Sequence, residues 1–491
     1  MGEVGYIVKG FPRLSETFIA NEIHLLESLG LTLRLYSIVR GDEGRAHGVI
    51  ARIRAPVTYL PPVTSLSGTS FPLWLSRNLP LFVVGHVRLA VRRPRAYFST
   101  LAASLAMSWR YRRGPLAPRK VFFKEFLQAG EIALQVLEAG TVQHLHGHYC
   151  HGAATVTWFA ARLTGLPFSF TAHAKDIYKA DLNPSDLLER KMRAARFVVT
   201  CTAANRAHLA RVCPDHEALH IVYHGLDTDF FAPLPPPAPG SVPVILAVGR
   251  LVEKKGFEYL VAACAQLRAA GLPLRCFIVG PPGSHSAQIA SLIGKLGLEV
   301  VVSVHGGVTQ EVLRELYRRA TLFVLPCLKL EDGDQDGIPN VLAEAMAMGL
   351  PVVSTRISGI PELIEHGTDG VLVPERDSTA LAGALRSLLM SPALRQRLAE
   401  AGRRKICAQF DSRRTTRRLY QLLADSLGAA AGATASPDVV GSAFASLDRP
   451  SSQREAAPGV AAVRRGVSCV NCCLSTSGAR ASARWRRSCA S

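Results

Sequence analysis

The chain has 491 residues, of which 48% are hydrophobic and 19% charged, with a formal net charge of +19 and a pI of about 9.8. An ordinary domain holds roughly 100–200 residues, so length and apolar content exclude a disordered chain and a single small domain. The basic excess favours anionic partners such as phosphates, an acidic membrane face or nucleic acid, and does not choose among them.

Short apolar runs that read as buried strands alternate with longer helical stretches, the pattern of an α/β fold with parallel sheets. In the first half, strands are expected at Val4–Phe11, Leu31–Val39, His144–His148, Phe168–Ala174, Phe197–Thr202 and His220–His224. The loop Gly10-Phe11-Pro12-Arg13-Leu14-Ser15-Glu16 closes the first strand and opens a helix, with Ser15 as its expected cap. Between Gly44 and Lys124 there is no Asp or Glu. There Phe71, Trp74, Phe82, Trp109, Tyr111, Phe122 and Phe123 interleave with Arg77, Arg88, Arg92, Arg93, Arg95, Arg110, Arg112 and Arg113. Two readings stand for this stretch: an amphipathic surface for an anionic membrane interface, and a basic surface over an aromatic core.

His144, His146 and His148 share one face if their strand persists that far, and with His151 they raise the question of zinc. His173 ends a strand, with Asp176 placed to orient a neighbour or cap the turn. The run Ala232-Pro-Leu-Pro-Pro-Pro-Ala-Pro-Gly240 continues neither helix nor central strand and is expected to link two domains.

In the second half, strands are expected at Val242–Gly249, Leu274–Val279, Val300–Val304, Leu322–Leu325, Pro351–Ser354 and Val371–Val373. After the first of these, Gly249 and Gly256 allow close backbone approach, while Arg250 and Lys255 suit a diphosphate, Arg through its fork and Lys as a point charge. Turns at Gly280 and at Val304-His305-Gly306 follow two further strands. Within Asp336-Gly-Ile-Pro-Asn-Val-Leu-Ala-Glu344, a helix is expected just after Asp336, with Pro339 at its first position and Gly349 at its end. Its free N–H groups at Gly337, Ile338 and Asn340 suit phosphate or hydroxyl oxygens, and Glu344 suits two adjacent ribose hydroxyls.

From about residue 428 the chain becomes rich in Ala, Ser and Arg and is expected to be disordered. Its Cys469, Cys472 and Cys473 have no His or second cluster to complete a zinc site. Most other cysteines stand alone in apolar contexts, which fits a reducing cytosol. The amino terminus lacks the basic and apolar regions of a signal peptide, and Tyr6 stands where myristoylation requires Ser or Thr. The longest apolar run, Leu79 to Val91, is interrupted by His86 and Arg88, too short and polar to span a bilayer.

Asp336 and Glu344 with the surrounding GIPNVLAEAMAMGLPVVST resemble the acidic pair of retaining GT-B glycosyltransferases, specifically glycosyltransferase family 4 (group 1). The GFPRLSETF loop resembles the one in bacterial exopolysaccharide glycosyltransferases of the colanic-acid and amylovoran type, and the likeness covers about residues 4 to 425.

The resemblance implies a GT-B fold, two Rossmann-like domains facing each other across a cleft. Residues 1–232 would bind acceptor, with a helix at about 405–427 returning to them, 233–240 would link, and 241–404 would bind the nucleotide-sugar. The implied activity is hexose transfer with retention from a UDP- or GDP-sugar to a saccharide, carried on a polyprenyl diphosphate in exopolysaccharide or cell-surface polysaccharide synthesis. His173, Asp336, Arg250 and Lys255 would be catalytic. Glu344, Gly337, Ile338, Pro339, Asn340, Gly280 and Val304 would bind donor, and Gly10, Ser15, Glu16 and His148 would face the acceptor. Asp336 stands where Glu is usual in the family, one methylene shorter.

No cofactor, protein-bound metal or nucleic acid is implied, and peripheral attachment to the cytosolic membrane face is expected. The alternatives are a nucleotide-sugar 2-epimerase of the same fold, a phosphorylase requiring pyridoxal phosphate, for which no segment suggests the lysine, and a non-catalytic basic protein binding nucleic acid or membrane.

Overall fold

A computed structural model describes residues 2–13, 16–41, 48–234 and 242–433. Ser15, residues 235–240 of the Pro-rich run, and residues 434–491 with Cys469, Cys472 and Cys473 lie outside the described residues.

Two parallel sheets organise the chain. The first contains β1 (Glu3–Phe11), β2 (Thr32–Arg40), β3 (Val57–Tyr59), β4 (Val142–His148), β5 (Phe168–Ala172), β6 (Phe197–Thr200) and β7 (Leu219–Ile221), in the order β3-β2-β1-β4-β5-β6-β7. The second contains β8 (Val244–Val248), β9 (Arg275–Val279), β10 (Val302–His305), β11 (Leu322–Leu325), β12 (Val352–Thr355) and β13 (Val371–Val373), in the order β10-β9-β8-β11-β12-β13. Helices cover both faces of each sheet, which is why the central strands are nearly continuous runs of Val, Ile, Leu and Phe. Strand order reverses beside β1 and beside β8, so each sheet opens a crevice at the carboxyl ends of its strands.

The expected strands all form, and two differences are instructive. β3 was not foreseen, because three half-buried residues carry no readable period. The strand expected at His220–His224 ends at Ile221, leaving His224 in a loop at the crevice.

The last described helix, Ser412–Ala433, returns to the first sheet, where Leu419 and Leu423 join Val4, Tyr6 and Ile23 in one core. It starts later than 405 and runs past residue 428, where the tail was expected to begin. At the return the chain crosses beside its first passage: Leu226 N–H donates to Phe410 O (3.0 Å) and Ser412 N–H to Leu226 O (2.9 Å).

The acid-free stretch forms the helices Phe71–Asn78, Pro80–Arg92 and Pro94–Arg110, and its aromatic residues divide. Trp74, Phe82, Tyr111 and Phe122 are buried core, whereas Trp109 is 52% exposed. Val84, Val87, Val91 and Phe98 are also exposed, Val91 at 79%, beside the exposed Arg77, Arg88, Arg92 and Arg95. Among the described residues, no helix is long and apolar enough to cross a membrane.

Candidate active site

The two halves meet where the loop before the helix Asn340–Ala347 lies against the end of β5. A Cβ built on Gly337 would come within 3.5 Å of Thr202, 3.6 Å of Ala174 and 3.7 Å of Cys201, so this loop of the second half lies close beside the residue after His173. The helix begins at Asn340, not just after Asp336: Pro339 is the capping residue, with extended ψ of 122°. A proline fits that position because its fixed φ suits the extended cap as well as the first helical turn. Gly337 and Ile338 therefore belong to the approach loop, while Asn340 opens the helix.

Asp336 is held by two cations, Lys255 Nζ at 2.7 Å and Lys254 Nζ at 3.1 Å. Burial acts to raise its carboxyl, but the neighbouring Lys255 and Lys254 outweigh this and keep it well below the ordinary carboxylate range. Burial lowers the Lys255 ammonium, and Asp336 more than restores it. The pairs continue as a ladder: Lys254 Nζ also reaches Asp334 (2.9 Å), Lys175 Nζ reaches Asp334 from the first half (3.6 Å), and Lys179 Nζ reaches Asp332 (2.6 Å).

Close backbone packing shapes this corner. Gly256 has φ +64° and an added Cβ would lie 2.0 Å from Pro326 O; at Gly280 it would lie 2.0 Å from Gly249 O, so both turns require glycine. Arg250 is exposed and has no ion-pair partner among the described residues. Val304 is exposed near the end of β10, where it pairs with Ile278 of β9.

Glu344 is buried and accepts the Tyr317 hydroxyl at 2.9 Å. Burial pushes its carboxyl up to about 7 despite that bond. It lines a small pocket between the halves with Asn340, Ala343, Asn21, His224 and Gly225. Among the described residues no salt bridge reaches Glu344, and its pocket is bordered by Asn21 and His224 of the first half.

On the first half, β4 persists to His148, so His144, His146 and His148 do share a face, and oxygen groups meet both nitrogens of His144 and of His146. His144 meets Ser169 Oγ (2.7 Å) and Ser426 Oγ (2.8 Å), and His146 meets Ser169 Oγ (2.7 Å) and Thr171 Oγ1 (3.1 Å). Burial drives the His144 ring down to about 3 and the His146 ring well below the usual range, so both are neutral. His148 Nε2 lies 2.9 Å from Glu22 Oε1 and 2.5 Å from the Tyr6 hydroxyl, and His148 Nδ1 lies 3.3 Å from His173 Nε2.

His173 caps the helix Ala174–Tyr178, its N–H donating to Asp176 Oδ1 at 2.9 Å. Its ring sits among Tyr149, Phe18 and His224, and burial lowers it well below the ordinary range. Asp176 also accepts from Cys150 N–H, so one carboxylate ties down two loops at the strand ends. Tyr149, its ring tilted 43° against that of His173, has φ +74°, a strained conformation for a residue with a side chain.

Among the described residues, one trio with metal-ligand chemistry comes together, His173, Cys201 and His224, with ligand atoms within 4.8 Å of one another. Burial pushes the Cys201 thiol up to about 12 and Asn205 already donates to its sulfur, so it is poorly disposed to bind metal as a thiolate. Gly10 and Glu16 lie at the end of β1: Arg13 folds over Gly10 and pairs with Glu16 at 2.9 Å. Glu16, where Ser15 was expected, is the capping residue of the helix Thr17–Ser28.

The structure thus brings Asp336, Lys255, Gly337, Glu344, His173 and His148 to one crevice, and adds Glu22, Lys254, Tyr6 and Tyr317. Glu22 had a sequence signal: it lies on the stripe Ile19, Ile23, Leu26 at helical spacing, a carboxylate on a buried face. On the far side, Glu362 accepts the N–H groups of Ala203 (2.7 Å) and Ala204 (2.9 Å) that begin the helix Ala203–Val212.

Comparison with known proteins agrees with this geometry. Residues 92–230 match the family model "Glycosyltransferase Family 4" and residues 235–405 match "Glycosyl transferases group 1". The chain is 29% identical to the amylovoran biosynthesis glycosyltransferase AmsK of Erwinia amylovora over 84% of its own length and 97% of that protein. It is 28% identical to WcaL of Escherichia coli K12, named for colanic acid biosynthesis, over 78% and 89% of the two chains. Among solved structures, sucrose-phosphate synthase of Thermosynechococcus elongatus superposes with a TM-score of 0.62 at 19% identity, covering 87% of this chain and all of that one (100%). HepE of Anabaena in complex with UDP-glucose gives a TM-score of 0.61 at 16% identity, with 87% and 100% covered. Two Rossmann-like sheets, the facing crevices and both family matches lead to one assignment: this chain is a glycosyltransferase of GT-B fold, matching family 4 over residues 92–230 and group 1 over residues 235–405.

Proposed function

We propose that the protein transfers a hexose, with retention of configuration, from a UDP- or GDP-sugar to a saccharide on a polyprenyl-diphosphate lipid at the cytosolic membrane face, in exopolysaccharide synthesis. The observation that carries this is the close approach of Gly337 to Ala174, which brings the loop of Asp336 in one half beside the strand end of His173 in the other. Lys255, with the exposed Arg250, would neutralise the donor diphosphate, in competition with Asp336 for the same ammonium. Glu344 would accept the ribose hydroxyls, and Asn340 and the Gly280 and Val304 turns would border the nucleotide. Asp336 would accept a sugar hydroxyl, with Lys254 retaining its charge.

The anomeric carbon–phosphate oxygen bond breaks as the acceptor oxygen attacks from the same face, and the acceptor proton passes to the leaving phosphate oxygen. A covalent route would need a carboxylate close to the anomeric carbon. His173 would stand beside the sugar instead. Gly10, Glu16 and His148 would border the acceptor. The names of AmsK and WcaL, and the UDP-glucose held by HepE, support the pathway and the donor class. The exposed apolar and basic residues of the helices between Phe71 and Arg110 favour peripheral membrane contact. No metal or other cofactor enters this reading, and the excess charge is assigned to phosphates and membrane, not nucleic acid.

The test is incubation with membranes bearing lipid-linked oligosaccharide and a panel of labelled UDP- and GDP-sugars. Transfer from one donor, lost in Glu344→Ala, is expected. Transfer from none, or equal transfer by the variant, sinks the proposal, and trapping of a glycosylated enzyme sinks the non-covalent route.

A further inference from the structure

Glu22 lies outside every motif used above, yet it ends a chain of polar contacts leading to the crevice. Its Oε1 accepts the Tyr6 hydroxyl and lies 2.9 Å from His148 Nε2, and the other nitrogen of His148 lies 3.3 Å from His173 Nε2. An ionised carboxylate only accepts, so in the one-proton forms of His148 the proton sits on Nε2. His148 Nδ1 is then a bare lone pair, which only a proton on His173 Nε2 can satisfy. His173 is left with Nδ1 as its acceptor. One carboxylate thereby fixes two ring tautomers across β1, β4 and β5.

We propose that Glu22 is a positioning residue for the transfer reaction: through His148 it selects which nitrogen of His173 carries the proton and orients that ring toward the donor sugar. Charge on Glu22 also strengthens His148 as an acceptor, so positive charge developing near His173 is shared along the chain. Tyr6 supports the arrangement, its hydroxyl 2.5 Å from His148 Nε2. The inference rests on the placement of His173 beside the donor sugar proposed above.

Protein labelled with ¹⁵N at histidine distinguishes ring tautomers by nitrogen shifts at neutral pH. The wild type is expected to carry the His148 proton on Nε2; a proton on Nδ1 overturns the proposal without any variant. Glu22→Gln, able to donate where Glu22 only accepts, is expected to scramble this pattern and lower kcat by roughly ten- to a hundredfold, with nucleotide-sugar KM within twofold and partial recovery in Glu22→Asp. Unchanged kcat with an unchanged ring pattern in Glu22→Gln overturns the role. Absence of transfer by the wild type, with the expected ring pattern intact, refutes the functional reading instead.

Discussion

Glu344 provides a quantitative test of the proposed donor site, because donor bound there would change its environment. In the crevice its carboxyl sits at about 7, raised by burial, with only the Tyr317 hydroxyl bonded to it. Two ribose hydroxyls donating to the ionised form would bring it back toward the ordinary range, near 4.5. Binding then competes with protonation, and between pH 8 and pH 6 the affinity for nucleotide-sugar falls by about tenfold, the ratio of the ionised fractions. The diphosphate of a nucleotide-sugar does not titrate in this window, which makes the intact donor a cleaner ligand than the free nucleotide. Calorimetry in buffers of different ionisation enthalpy should show nearly one proton released at pH 6 and little at pH 8. In Glu344→Gln both the pH dependence and the proton release should vanish. The free protein shows the converse sign: with the folded carboxyl above its unfolded value, this group's contribution to stability is present below about pH 4.5 and is lost as pH rises through about 7. Affinity that stays flat from pH 6 to 8, or a slope that survives in the Gln variant, would refute the reasoning.

Asp336→Asn removes the counter-charge of Lys255 and leaves Lys254 with Asp334 alone, and should cost about 3 kcal/mol in urea unfolding as well as most transfer activity. Because the Asp336 carboxyl is depressed, that stability exists above its unfolded value of 3.8 and fades as pH falls, so wild type and variant should converge in acid. Lys255→Ala should lower kcat/KM for the donor by roughly 10²–10³-fold, measured by steady-state transfer, whereas removing the acceptor should leave nucleotide-sugar binding to the wild type intact. Val84→Glu with Val87→Glu, on the exposed face of Pro80–Arg92, should weaken binding to anionic vesicles by about 1 kcal/mol or more per charge introduced. Added salt should weaken wild-type vesicle binding in the same sedimentation assay.

The sheets were legible because their strands are apolar runs bounded by Gly and Pro, and the donor loop because its carboxylates and glycines are local in sequence. What escaped depends on neighbours supplied by folding. Glu22 meets His148 across 126 residues, and only the parallel register of β1 and β4 puts Tyr6 between them. The histidines of β4 suggested metal chemistry because their partners, Ser169 and Thr171, lie on another strand at a register no spacing reveals. Lys254 carried no reading of its own beside Lys255, yet a tight turn lets both ammoniums reach Asp336. The helix start was misplaced by a few residues because Pro339 suits either a cap or a first turn, and local propensity does not separate the two.

The two passages of chain between the halves have a mechanical consequence. Joined by one strand, two bodies swivel about any direction. Here the passages run side by side, clipped by the hydrogen bonds of Leu226 with Phe410 and Ser412, and by the Thr228 hydroxyl donating to Asp411 at 2.5 Å. A double strap bends far more easily across its width than it twists. The crevice should therefore open like a book along one spine, and each closure would return Gly337 to Ala174 in the same alignment.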